Sequence, residues 1–109
     1  MATLTTQVVS LTGLSPTYAS AASGGDKIAP GERAFAHVKN GAGSPVTVTL
    51  TTTAAVRGQT VSNVTVSVPA SGERMIGPLT ADLFGGTADG LVALGYSSNT
   101  SVTIAALRI

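Results

Sequence analysis

The sequence holds one histidine, His37, and no cysteine. Any acid–base, metal or triad chemistry would therefore have to be organised around that single imidazole. A zinc site draws three or four ligands mainly from His, Cys and carboxylates, and His37 has no His or Cys to join it. Serines and aspartates stand elsewhere, so a triad is available by count. However, no Gly-x-Ser-x-Gly elbow is present to hold a nucleophile, and triads are defined by geometry. His37 falls inside a stretch that reads as a strand, and the expectation is a half-buried strand histidine or an interface residue.

The other chemical candidates are weaker. Gly24-Gly25-Asp26-Lys27 has the composition of a phosphate loop but not the Gly-x-x-x-x-Gly-Lys-Ser/Thr spacing, and no clear helix follows to present its N-terminus to an anion. It reads as a flexible turn with a local Asp26/Lys27 pair. Asp82 and Asp89 flank Gly85-Gly86 without the Asp-x-Asp-x-Asp-Gly spacing of a calcium loop, so a glycine turn is expected there. Asn63-Val64-Thr65 and Asn99-Thr100-Ser101 match the glycosylation sequon, which carries little weight in a chain so rich in Ser and Thr. Four aromatics, Tyr18, Phe35, Phe84 and Tyr96, supply no evident stacking platform for sugar or single-stranded nucleic acid and are expected to pack locally.

The elements that would position these residues are strands. Val46-Thr47-Val48-Thr49-Leu50-Thr51 alternates apolar and polar residues with period two, the pattern of a strand with one buried face. Val64-Thr65-Val66-Ser67-Val68 and Ser101-Val102-Thr103-Ile104 repeat it, and their β-branched residues suit a pleated surface. Residues 7–11, 34–39, 74–76 and 91–96 are weaker candidates, giving about seven or eight short strands. The expected core is Val46/Val48/Leu50, Val64/Val66/Val68 and Val102/Ile104, with Phe35 or Val38 added. Asn40-Gly41-Ala42-Gly43-Ser44-Pro45 reads as a hairpin turn and Pro69-Ala70-Ser71-Gly72 as a second turn. Pro45, Pro69 and Pro78 mark strand ends. Residues 15–25 read as a long loop or a turn of helix. Residues 80–84 could form one helical turn capped by Thr80, with Leu83 and Phe84 packing inward. Arg57-Gly58-Gln59 is expected on an exposed loop between two strands. The fold class is all-β: residues 1–109 as one antiparallel β-sandwich, for which a jelly roll is one available form.

Composition narrows the partners. Charged residues are 10% of the chain, against ~25% in an average protein. Six Lys/Arg face five Asp/Glu, with no basic patch for phosphates, so nucleic acid is not an expected partner. No stretch nears the ~18 apolar residues of a membrane helix, and Met1-Ala2-Thr3-Leu4 lacks the basic and apolar regions of a signal peptide. A surface so poor in charge suits either a Thr/Ser-covered sheet or a face covered within an assembly.

Several stretches, taken in order, carry a resemblance: Thr12-Gly13-Leu14-Ser15-Pro16-Thr17-Tyr18, Gly24-Gly25-Asp26-Lys27, His37-Val38-Lys39-Asn40-Gly41, Val68-Pro69-Ala70-Ser71-Gly72-Glu73-Arg74, Ile76-Gly77-Pro78 and Ser101-Val102-Thr103-Ile104-Ala105-Ala106-Leu107. Together they span nearly the whole chain. The chain resembles small proteins encoded among the virion structural genes of tailed bacteriophages of actinobacteria. These stretches are turns and strands with no catalytic residue to transfer. The resemblance implies a non-enzymatic capsid decoration (cement) or minor capsid protein, without cofactor or metal. Its partners would be the major capsid protein and copies of itself, a homotrimer among the options, and its place the capsid surface of a virion assembled in the host cytoplasm. A tail, head-fibre or head–tail connector protein is the alternative, followed by a carbohydrate-binding adhesive module. The interface candidates are Thr3, Thr5, Tyr18 and Arg57. Residues 1–6 are expected to form a flexible arm that orders on a neighbour.

Overall fold

A computed structural model describes residues 2–53, 55–60, 62–84 and 90–109, with side chains described except at residues 2, 55, 56, 60, 82 and 83. Its strands are β1 (Ala2–Thr3), β2 (Thr6–Val8), β3 (Ala19–Ser20), β4 (Asp26–Ile28), β5 (Ala34–Asn40), β6 (Val46–Leu50), β7 (Ala55–Val56), β8 (Gln59–Thr60), β9 (Val64–Val68), β10 (Glu73–Ile76), β11 (Val92–Tyr96) and β12 (Val102–Arg108). One helical turn, α1 (Ala81–Phe84), precedes β11.

The strands form two five-stranded sheets, as expected for a β-sandwich. The first has the order β1-β4-β11-β6-β9. The second has the order β10-β5-β12-β2, with β3 also on β12. β7 and β8 make a separate two-stranded hairpin. The pairs are nested: β6 with β9, β5 with β10, β4 with β11 and β2 with β12. Such nesting is the wrapping of a jelly roll. The outermost pair departs from it, since β2 runs parallel to β12. β1 is also parallel, to β4, so the expectation of purely antiparallel pairing is corrected at the N-terminus. The turn at residues 40–45 is not a hairpin either. β5 lies in the second sheet and β6 in the first, so this segment carries the chain between sheets.

The Val/Thr alternation of β6 translates directly into burial. Val46, Val48 and Leu50 are inside, while Thr47 is exposed and Thr49 only half-buried. Val38, Val102 and Ile104 join them from the second sheet, with Ile28, Val92 and Leu94 from the first. Cross-strand registry explains a weaker outcome on β9. Val68, Val66 and Val64 face Val46, Val48 and Leu50, but β9 is the sheet edge. Burial therefore falls along it, from Val68 inside through a half-buried Val66 to Val64 at 37% exposure. Val64 is thus outside the core expected for it.

Residues 26–28 correct a second expectation. Asp26-Lys27-Ile28 is not a flexible turn but a strand within the first sheet, paired with β1 and β11. Residues 15–25 are a loop that includes the two-residue β3 on β12. The N-terminal arm is not free. Ala2–Thr3 lies on β4, the Leu4 N–H donates to Lys27 O at 2.8 Å, and Thr6–Val8 lies on β12. Backbone pairing and the packing of Leu4 against the core hold this segment, so its polar composition did not decide its structure. At α1, Phe84 is buried and its N–H donates to Thr80 O, which places Thr80 at the N-cap. The glycine-turn reading around Gly85, Gly86 and Asp89 lies outside the described residues, as do the side chains of Asp82 and Leu83.

Candidate interaction face

The sheet formed by β10, β5, β12 and β2 has two used faces. Its inner face is the core. On its outer face β5 presents Phe35, His37 and Lys39 beside Leu107, Ala105 and Thr103 of β12, and Met75 of β10 lies opposite His37. Leu107 and Ala105 are buried although they point away from the core. Residues 9–18 account for part of this cover. They leave β2, cross the outer face and return at β3. Gln7 secures the crossing by donating from Nε2 to Thr17 O at 2.8 Å and accepting from the Thr17 N–H at 2.9 Å.

His37 sits beneath this crossing. It is buried, and the Tyr18 hydroxyl lies 2.6 Å from its Nδ1. Its Nε2 lies 3.5 Å from Glu73 Oε1 without hydrogen-bond geometry. The imidazole tautomer sets which atom of the Tyr18–His37 hydrogen bond donates. The Lys39 ammonium stands 4.1 Å from the centre of the Tyr18 ring, a cation–π distance. The groove beside His37, about 410 Å³, is lined mostly by apolar groups, among them Val9, Leu14, Phe35, Met75 and Ile109. His37 therefore pins the crossing loop from within a largely apolar surface, and no group of three or more potential metal ligands occurs among the described residues.

The apolar character of this face continues to its exposed rim. Met75 and Ile109 are at 67% exposure and Val9 is also exposed, and all three line the groove. Exposed apolar side chains clustered in this way mark an interaction site far more often than scattered ones do. The sequence reading missed this face because its members come from four separate segments. The one available signal was the apolar Phe35 on the side of β5 opposite Val38.

The other candidate residues are dispersed. Tyr18 is half-buried and spends its hydroxyl on His37. Thr3 and Thr5 are exposed on either side of the inward-packed Leu4. Arg57 is exposed as expected, at the tip of the β7–β8 hairpin. It has φ 52° and is followed by Gly58 at φ 79°, the positive pair of a type I′ turn. The structure does not bring these four residues together into one surface.

The first sheet holds a buried carboxylate hydrogen-bonded to a tyrosine. Asp26 is fully buried. Its Oδ2 accepts from the Tyr96 O–H at 2.6 Å and from the Ala22 N–H at 3.3 Å, while Oδ1 has no hydrogen-bond partner. Burial, the hydrogen bond to Asp26 and its negative charge together hold the Tyr96 phenol well above the ordinary tyrosine range. The folded state thus keeps a proton that the unfolded chain releases near pH ~10. Stability from this group is complete below that pH and declines above it. The expected slope is ~1.4 kcal/mol per pH unit for one proton. Tyr96→Phe should remove that slope and cost about 2 kcal/mol at neutral pH, because Asp26 loses its closest donor. Urea unfolding of both proteins between neutral and alkaline pH measures this. Parallel curves would show that the phenol does not titrate with unfolding.

No protein-family model, no curated protein and no solved structure matches the chain.

Proposed function

We propose that this chain is a non-catalytic structural subunit of a virion. In its specific form, it is a phage capsid decoration protein that binds the assembled shell through the outer face of the second sheet. The observation that carries the reading is the apolar groove lined by exposed Val9, Met75 and Ile109 on a chain with few charges. Covering such a face removes apolar surface from water at roughly 25 cal/mol per Å² before the costs of association. Many copies on one shell would sum modest interfaces and stabilise the assembled state by mass action. The jelly-roll wrapping supports the reading by architecture alone, since viral capsid domains use it but so do lectins and cupins.

Capsids stripped of this protein and re-supplied with it should bind a saturating number of copies and then rupture at a higher temperature. Met75→Asp should fold like the parent, because Met75 is already exposed. It should weaken shell binding by tenfold or more, on the order expected for a charge placed in an apolar contact. Binding confined to tails would replace the decoration reading with a tail, head-fibre or connector role. Undiminished binding by Met75→Asp would move the interface elsewhere.

A further inference from the structure

The few charges are unevenly used. Lys39 stands over Tyr18, Arg74 Nη1 donates to Glu73 O, and Lys27 has a partner. Of the acids, Asp26 is bonded to Tyr96 and Glu73 stands beside His37. Arg33 and Arg108 are exposed, and neither guanidinium has a partner within the described residues. Although 75 positions apart in the chain (108 minus 33), they are brought to one place by the β5–β12 ladder, where Arg108 lies opposite Ala34. Both line a cleft of about 460 Å³ at the mouth between the two sheets, together with Thr6, Pro30 and Glu32. Thr6 Oγ1 is buried there without a hydrogen-bond partner.

This cleft joins the apolar face. A neighbouring groove is lined by Glu32 and Arg33 on one side and by Phe35, Met75 and Ile109 on the other. It shares the first pair with the cleft and the last three with the apolar groove. The surface is therefore continuous, with an apolar centre and a rim carrying two guanidinium groups against one carboxylate. Protein interfaces are commonly built this way, with arginine enriched and the centre apolar.

We infer that Arg33 and Arg108 recognise carboxylate side chains on the protein partner, so that the occupant of this surface is an acidic segment with large apolar residues beside its acids. The inference rests on the docking face proposed above and adds the partner's chemistry. Guanidinium forks match carboxylates in a bidentate geometry, and both guanidinium groups are exposed and unpartnered within the described residues. A second copy of this chain fits less well, because Glu32 and Glu73 are the exposed carboxylates among its described side chains, and Glu32 already lies between the arginines of its own cleft. Nucleic acid fits less well too, since Glu32 lies among the arginines and the surface continues into apolar groups.

A displayed library of random peptides, panned on the immobilised full chain, tests this. Enriched sequences should combine Asp or Glu with Leu, Phe or Trp. A synthetic peptide of the enriched sequence should bind roughly tenfold or more weakly to Arg33→Glu/Arg108→Glu and weaken with added salt. Arg57→Glu, which changes a cation outside these clefts, should leave binding intact. Arg33→Lys/Arg108→Lys should lose part of the affinity, since charge remains and the fork does not. Circular dichroism establishes that the variants are folded. Several outcomes overturn the inference. One is apolar peptides without acids whose binding Met75→Asp abolishes and the arginine changes do not. That result leaves the docking face standing and removes the carboxylate partner. Failure to enrich acidic sequences, tighter binding of an oligonucleotide than of any peptide, or self-association lost in the arginine variants would also overturn it.

Discussion

Val48→Asp should leave no folded protein at room temperature, whereas Val66→Asp, its direct cross-strand neighbour, should fold. Val48 lies in β6 between β11 and β9, opposite Tyr96 on one side and Val66 on the other, and is 0% exposed. An aspartate there has no route to water and no cation in the core around it. Burying an unpaired carboxylate costs several kcal/mol even after the group takes up a proton. Domains of this size are stable by only about 5–15 kcal/mol, so the loss approaches the whole margin. Val66 occupies the same inner face but on the edge strand, and it is half-buried. An aspartate there can swing past the open side of β9 into solvent, so the cost should be about 1–2 kcal/mol. Chemical unfolding followed by circular dichroism separates the two. Equal losses at both positions would mean that β9 is as enclosed as β6 and that the edge is covered.

That contrast shows where the sequence was informative and where it was not. Period-two alternation located β6 and β9 almost to the residue, and β12 only as far as Ile104 of Val102–Arg108, because one-sided burial imposes that pattern on a strand and residues 105–107 are buried on both faces. It could not grade Val64, Val66 and Val68, since edge or centre is a property of the whole sheet order. β4 leaves no strand signal because Asp26-Lys27-Ile28 is preceded by Gly24-Gly25, followed by Ala29-Pro30 and carries two charges. Its place in the sheet depends on β1 and β11, which lie at opposite ends of the chain. Composition suggests an arm over residues 1–6, whereas Ala2–Thr3 and Thr6–Val8 are strands. Their pairing to β4 and β12 is long-range and leaves no local periodicity. The candidate site was less legible still. His37 was identifiable as a strand histidine, but its partners Tyr18 and Glu73 are 19 and 36 positions away (37 minus 18, and 73 minus 37). Arg33 and Arg108 meet only through the β5–β12 register.

Asn40→Ala should be the costliest change at any polar residue in this chain, at about 2–4 kcal/mol, although nothing in Asn40-Gly41 suggests more than a turn. Asn40 ends β5, is buried, and holds two separate turns together. Its Nδ2 donates to Ser44 O at 2.8 Å, and to Val68 O and Pro69 O at 3.3 Å each. Its Oδ1 accepts from the Ala42 N–H at 2.9 Å. One amide thus ties the segment crossing from β5 to β6 to the segment crossing from β9 to β10, two of the places where the chain changes sheets. Alanine would remove one buried and three part-buried hydrogen bonds at once, and a buried group left unpaired costs about 1–3 kcal/mol unless water replaces the partner. Asn40→Asp tests the assignment more sharply. It keeps the acceptor for Ala42 N–H, but it replaces the donor with a carboxylate oxygen facing three carbonyl oxygens. At neutral pH it should be less stable than Asn40→Ala. Part of the loss should be recovered in acid, where protonation restores one donor. Denaturation midpoints at neutral and acid pH give this order directly. An aspartate variant as stable as the parent at neutral pH would show that the Nδ2 contacts do not hold the turns.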